Sequence, residues 1–68
     1  MPEACGADYA AAYVGKVGTV ENRRKLQQIA VTEMRWLPPN AARLDDLSYW
    51  RLNVFLDENN VITEVDCF

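Results

Sequence analysis

A chain of 68 residues holds one domain, residues 1–68, whose apolar core contributes only about 3–5 kcal/mol, so a staple is expected. A net charge of −3 and a pI near 4.7 exclude the basic footprint of a nucleic-acid binder. The absence of histidine removes the commonest general base and metal ligand, and with them Ser-His and Cys-His hydrolysis, so a binding module is expected rather than an enzyme, with no cofactor and no metal.

No apolar run approaches the length of a membrane span, so no membrane partner is expected. The opening Met-Pro-Glu-Ala-Cys lacks the basic-then-apolar pattern of a signal sequence. Cys5 and Cys67 stand near opposite ends, and bridging them would contribute about 4 kcal/mol in the chain-entropy model. The rival reading is two buried free thiols. A small chain with two cysteines near its ends favours an oxidising compartment, secreted or periplasmic, with this chain as the mature form. Nothing reads Cys-x-x-Cys, so a redox motif is excluded.

The first element is a helix from Ala7 to Val14, where Ala7, Ala10, Ala11 and Val14 recur at helical spacing and Asp8 suits the exposed amides of the first turn. Tyr9 and Tyr13 flank that stripe as a packing edge. Gly15 and Gly18 then make a turn whose Gly-Lys-Val-Gly lacks the spacing of a phosphate loop. Thr19 caps a second, main helix over Val20 to Ala30, with Glu21 in its first turn and Leu26, Ile29 and Ala30 inward. Its run Arg23, Arg24, Lys25 reads as a solvated face.

A strand follows from Val31 to Leu37, with Met34 and Trp36 on one side and Glu33 and Arg35 on the other, and Pro38-Pro39 ends it. Residues 38–49 show neither helical nor period-two pattern, and connections that long are usually functional or disordered. The next strand, Arg51 to Asp57, sets Leu52, Val54 and Leu56 against Arg51, Asn53, Phe55 and Asp57. That polar face is suited to hold the loop from beneath. Glu58-Asn59-Asn60 is a turn, and Val61 to Cys67 is a third strand alternating Val61, Thr63 and Val65 against Ile62, Glu64 and Asp66. The acidic residues Asp57, Glu58, Glu64 and Asp66 lack calcium-loop spacing and read as solvated charge. The element order gives an α+β domain with the helix on one face of a small sheet.

Several stretches resemble a known group. Cys5-Gly6-Ala7, Val14-Gly15, a strand ending in proline, Arg51-Leu52-Asn53-Val54, Leu56-Asp57, Asn60, Ile62, Val65 and Cys67 resemble the small bacterial and fungal peptidase inhibitors related to the fungal elastase inhibitor. Tyr13-Val14-Gly15-Lys16 and the spacing of Leu47, Tyr49, Arg51, Val54 and Phe55 are similar to potato inhibitor I, the eglin family. The fold expected from the elements and the resemblance together is a small mixed β-sheet packed against one main α-helix, with an extended exposed binding loop and one end-to-end disulfide.

The resemblance implies a monomeric inhibitor of serine endopeptidases whose loop mimics a substrate. Carried over without gaps from Arg51, the reactive-site loop includes Leu44, Asp45, Asp46 and Leu47, with the scissile bond between Asp45 and Asp46. Arg51 and Asn53 become the loop supports, Arg51 as a partner for the Asp46 carboxylate. A one-residue shift makes Leu44-Asp45 the bond instead.

The chain departs from the family at two positions. Leu44 stands where threonine is usual and Asp45 where an apolar residue is usual. A carboxylate entering an apolar pocket is expensive for subtilisin-, chymotrypsin- or elastase-like enzymes and suits an acidic-specific peptidase. The competing expectation is a module of the same fold whose loop does not inhibit and binds another protein.

Overall fold

The structure is a computed structural model that describes residues 5–41 and 48–68. Its first helix, α1, is Ala7–Ala10, and it tightens into a 3-10 turn at Ala11–Tyr13. Gly6 starts it at φ 87°, and its carbonyl accepts from the amides of Tyr9 and Ala10. A Cβ at Gly6 would stand 2.7 Å from the Ile29 carbonyl oxygen, so glycine lets α1 and the end of the second helix meet backbone to backbone. The tightening alters the stripe expected from the sequence. Ala7 and Ala10 are buried, whereas Ala11 and Val14 face solvent. The tyrosines also part, Tyr13 packing on the core and Tyr9 standing exposed.

The main helix, α2, is Val20–Ile29, and the Thr19 hydroxyl accepts from the Asn22 amide at 3.1 Å as its N-cap. Leu26 is fully buried, with Ile29 and Ala30 packed against the core beside it. The basic run is divided. Lys25 pairs with Glu21 at 3.3 Å across one turn, while the Arg23 guanidinium lies 5.1 Å from the Trp36 ring centroid.

Three strands follow, β1 at Glu33–Leu37, β2 at Arg51–Leu56 and β3 at Ile62–Cys67, in the order β1-β2-β3. The sheet is mixed. β1 runs parallel to β2, from Glu33 opposite Arg51 to Leu37 opposite Phe55, and β3 runs antiparallel on the other side. The β2–β3 turn is closed by Asp57, whose Oδ1 accepts from the amides of Asn59 and Val61, and by Asn60 at φ 62°.

One bulge changes the alternation expected for β3. Phe55 pairs with Glu64 and Leu56 with Ile62, so Thr63 is an extra residue. Because a bulge reverses the phase of the strand, Ile62 is fully buried on the same side as Val65 and Cys67.

Leu52, Val54 and Leu56 meet Leu26, Ile62, Ala7 and Ala10 to form the core. Cys5 and Cys67 are bonded, Cα to Cα 5.6 Å across 62 positions, which joins the start of α1 to the end of β3. The expected α+β class, the mixed sheet under one main helix and the staple are all present.

Candidate functional site

The parallel pairing of β1 and β2 fixes the path between them. A chain leaving Leu37 must travel back about 16 Å, five residues at roughly 3.3 Å each, before it can start β2 in the same direction. Such a crossover needs a dozen or more residues. Part of the length of 38–50 is therefore required by topology, whatever else the segment does. Its described ends are both closed by turns, Ala41 donating to the Pro38 carbonyl at 3.0 Å and Arg51 to that of Ser48 at 3.2 Å. Leu44, Asp45, Asp46 and Leu47, the expected reactive-site residues, lie outside the described residues.

The strand onto which this segment leads is unusual on its second face. Alternation sends Leu52, Val54 and Leu56 to the core, which leaves Arg51, Asn53 and Phe55 on the opposite side. Yet Arg51 is only 8% exposed and Asn53 1%. Phe68 accounts for much of that cover. The Asn53 amide donates from Nδ2 to its main-chain oxygen at 2.6 Å, Arg51 reaches the same oxygen from Nη1 at 3.4 Å, and its ring stacks on Phe55 with centroids 6.2 Å apart. Arg51 also donates from Nε to Glu33 Oε1 on the paired strand at 3.2 Å. The register places Glu33 directly opposite Arg51, so this bond follows from the sheet itself.

The two expected supports thus stand together on β2, at the end where the crossover arrives. The expected partner of Arg51, Asp46, lies outside the described residues; among the described residues Arg51 bonds to Glu33 and Phe68. Neither stands out in the sequence alone. Glu33 carried a weak signal, since it alternates with Met34 and Trp36, but its position opposite Arg51 requires knowing that β1 and β2 are parallel. Phe68 carried none beyond following Cys67.

The same end of the sheet presents Tyr49 and Trp50, which are 71% and 59% exposed. Thr32 Oγ1 donates to the Trp50 carbonyl at 2.9 Å, tying their turn to the start of β1. At the other end an open cleft is lined by Trp36, Pro38, Pro39, Leu56, Asp57 and Asn60. Among the described residues no group of three or more Cys, Asp or Glu side chains is placed to hold a metal ion.

No family model and no curated protein matches the chain. Among solved structures it is similar to that of a fungal elastase inhibitor, AFUEI, at 25% identity and a TM-score of 0.76. This likeness carries the first of the two resemblances drawn from the sequence, while that to potato inhibitor I rests on the residue pattern. With 100% of both chains covered, the described fold is similar over its full length to the structure of an elastase inhibitor.

Proposed function

We propose that this protein inhibits serine endopeptidases through a rigid, substrate-like loop at about residues 38–49, exported to a secreted or periplasmic location. The observation that carries the reading is the full-length likeness to an elastase inhibitor, AFUEI, at 25% identity. The buried polar face of β2 at the point where the crossover lands supports it.

In this reading the chain acts as potato inhibitor I does. The loop enters the peptidase cleft in extended form, and the carbonyl of Asp45 occupies the oxyanion hole, with Asp46 and Leu47 on the leaving-group side. The shifted register puts the Leu44 carbonyl there instead. A loop already held in its bound shape gives up little conformational entropy on docking. Arg51 and Asn53, anchored on Glu33 and Phe68, keep the platform under the loop from relaxing, so a severed bond leaves its two ends close together and resealing competes with release.

Asp45 favours an acidic-specific peptidase as the target over an elastase-, chymotrypsin- or subtilisin-like one, because it meets an apolar pocket with a charge. The same residue favours the second reading, a protein-binding module of this fold that does not inhibit. Inhibition constants against a panel containing subtilisin, chymotrypsin, pancreatic elastase and a glutamate-specific peptidase separate the two. Inhibition strongest against the glutamate-specific enzyme is expected, and no inhibition of any member would leave only the binding module.

A further inference from the structure

Large apolar side chains exposed singly are ordinary on a small protein, but Tyr49, Trp50 and Val31 are exposed together at the end of the sheet where β1 and β2 begin. Their fractional exposures are 71%, 59% and 62%. The backbone that carries Tyr49 and Trp50 is tied down. The Trp50 carbonyl accepts from Thr32 Oγ1 at 2.9 Å, the Arg51 amide closes the turn on the Ser48 carbonyl, and the Arg51 side chain next to it is anchored on Glu33.

We infer that Tyr49 and Trp50 form a second contact surface for the peptidase, one that meets the rim of its cleft on the leaving-group side. The inference rests on the inhibitor reading. Two considerations carry it from exposed aromatics to this occupant. The first is reach. Trp50 follows Asp45 by five residues, at most about 18 Å of fully extended chain. A standard interface of about 800 Å² per partner has a radius near 16 Å, so a peptidase seated on the loop comes up to this pair or stops at its edge. The second is residue type. Tryptophan and tyrosine are the side chains most enriched among residues that dominate binding energy, and these two sit on a preformed turn, so little entropy is lost in using them. The charge around them is balanced, with Arg51 already paired to Glu33, so recognition here is by apolar area and by the indole N–H and phenol O–H groups.

The test compares Trp50→Ala and Tyr49→Ala with the wild type against whichever panel peptidase the wild type inhibits best. Val20→Ala, also exposed, at 76%, but on α2, is the control. Loss of a dominant contact is expected to raise the inhibition constant about tenfold or more for Trp50→Ala, and less for Tyr49→Ala, with unchanged melting and unchanged rate of loop cleavage. The control is expected to stay within about twofold of the wild type. Unchanged inhibition by Trp50→Ala, or an equal loss in the control, overturns the inference while leaving the inhibitor reading intact. A loss accompanied by faster loop cleavage overturns it too, since Trp50 would then act by stiffening the loop. A wild type that inhibits nothing overturns both.

Discussion

Asn53 donates its Nδ2 hydrogen to the main-chain oxygen of Phe68 at 2.6 Å, one residue beyond the bridged Cys67. Through that bond the centre strand, the end of the chain and the disulfide become one unit, and Arg51 joins it by reaching the same oxygen. The polar face of β2 is held from the far end of the sequence.

Asn53→Ala therefore removes the partner of a polar oxygen and empties a position that is 1% exposed, at a cost of about 1–3 kcal/mol. Asn53→Asp is expected to be worse, because it sets a carboxylate oxygen against the Phe68 main-chain oxygen in place of a donor. Urea unfolding of the two variants gives the comparison. Equal stability of wild type and Asn53→Asp would show that the bond contributes nothing.

Arg51→Ala should act on both the fold and the loop. The guanidinium is largely buried and bonded to Glu33, so its removal costs more than the loss of a surface ion pair, about 1–3 kcal/mol. A target peptidase is expected to cleave the folded variant's loop faster than the wild type's. Cleavage at the wild-type rate, followed by mass spectrometry, would remove Arg51 from the supporting role.

Replacing both cysteines, Cys5→Ser with Cys67→Ser, opens a constraint across 62 positions and should cost about 4 kcal/mol, most of what so small a domain has to lose. It also frees the residue before Phe68, so inhibition should weaken in whatever fraction stays folded. Thermal melting with and without a dithiol reductant measures the first effect. A reduced protein that melts where the oxidised one does would take the staple out of the account.

Gly6→Ala places a Cβ on a residue at φ 87° and 2.7 Å from the Ile29 carbonyl oxygen. The left-handed backbone costs a non-glycine residue about 1–2 kcal/mol before that clash is counted. A drop of at least that size in unfolding free energy is expected, whereas a variant as stable as the wild type would mean that α1 does not need this close approach.

The fold was largely legible in the sequence because its local signals agree. Thr19 before Glu21, the Leu26 and Ile29 spacing, the alternation through Arg51 to Leu56 and the Asn60 turn each specify an element by themselves, and the two cysteines supply the staple. The bulge at Thr63 was not legible, because the run Val61 to Cys67 alternates well enough to hide an extra residue that only the pairing with β2 reveals. Nor was the Arg51–Glu33 bond, since it depends on a parallel register between strands separated by the crossover. The site was therefore half legible. The expected supports Arg51 and Asn53 showed as polar positions on an apolar strand, while Phe68 and Glu33, which bond to them, lie just beyond β3 and at the start of β1.

In the proposed reading, specificity turns on Asp45. If its carboxylate enters the pocket, Asp45→Leu removes an unmatched charge and should tighten inhibition of chymotrypsin or subtilisin by about 1–3 kcal/mol, roughly five- to 150-fold, while weakening that of a glutamate-specific peptidase. If Leu44 fills the pocket, the change matters little and Leu44→Asp abolishes inhibition.

The most direct measurement is to titrate the inhibited peptidase with the wild-type protein and, after long incubation, to sequence the new amino terminus in the inhibitor. The substrate-like loop predicts stoichiometric loss of peptidase activity with one slow cut, before Asp46 in the ungapped register or before Asp45 in the shifted one. Rapid cutting at several positions, a cut outside residues 38–49, or a peptidase that keeps its full activity would contradict it.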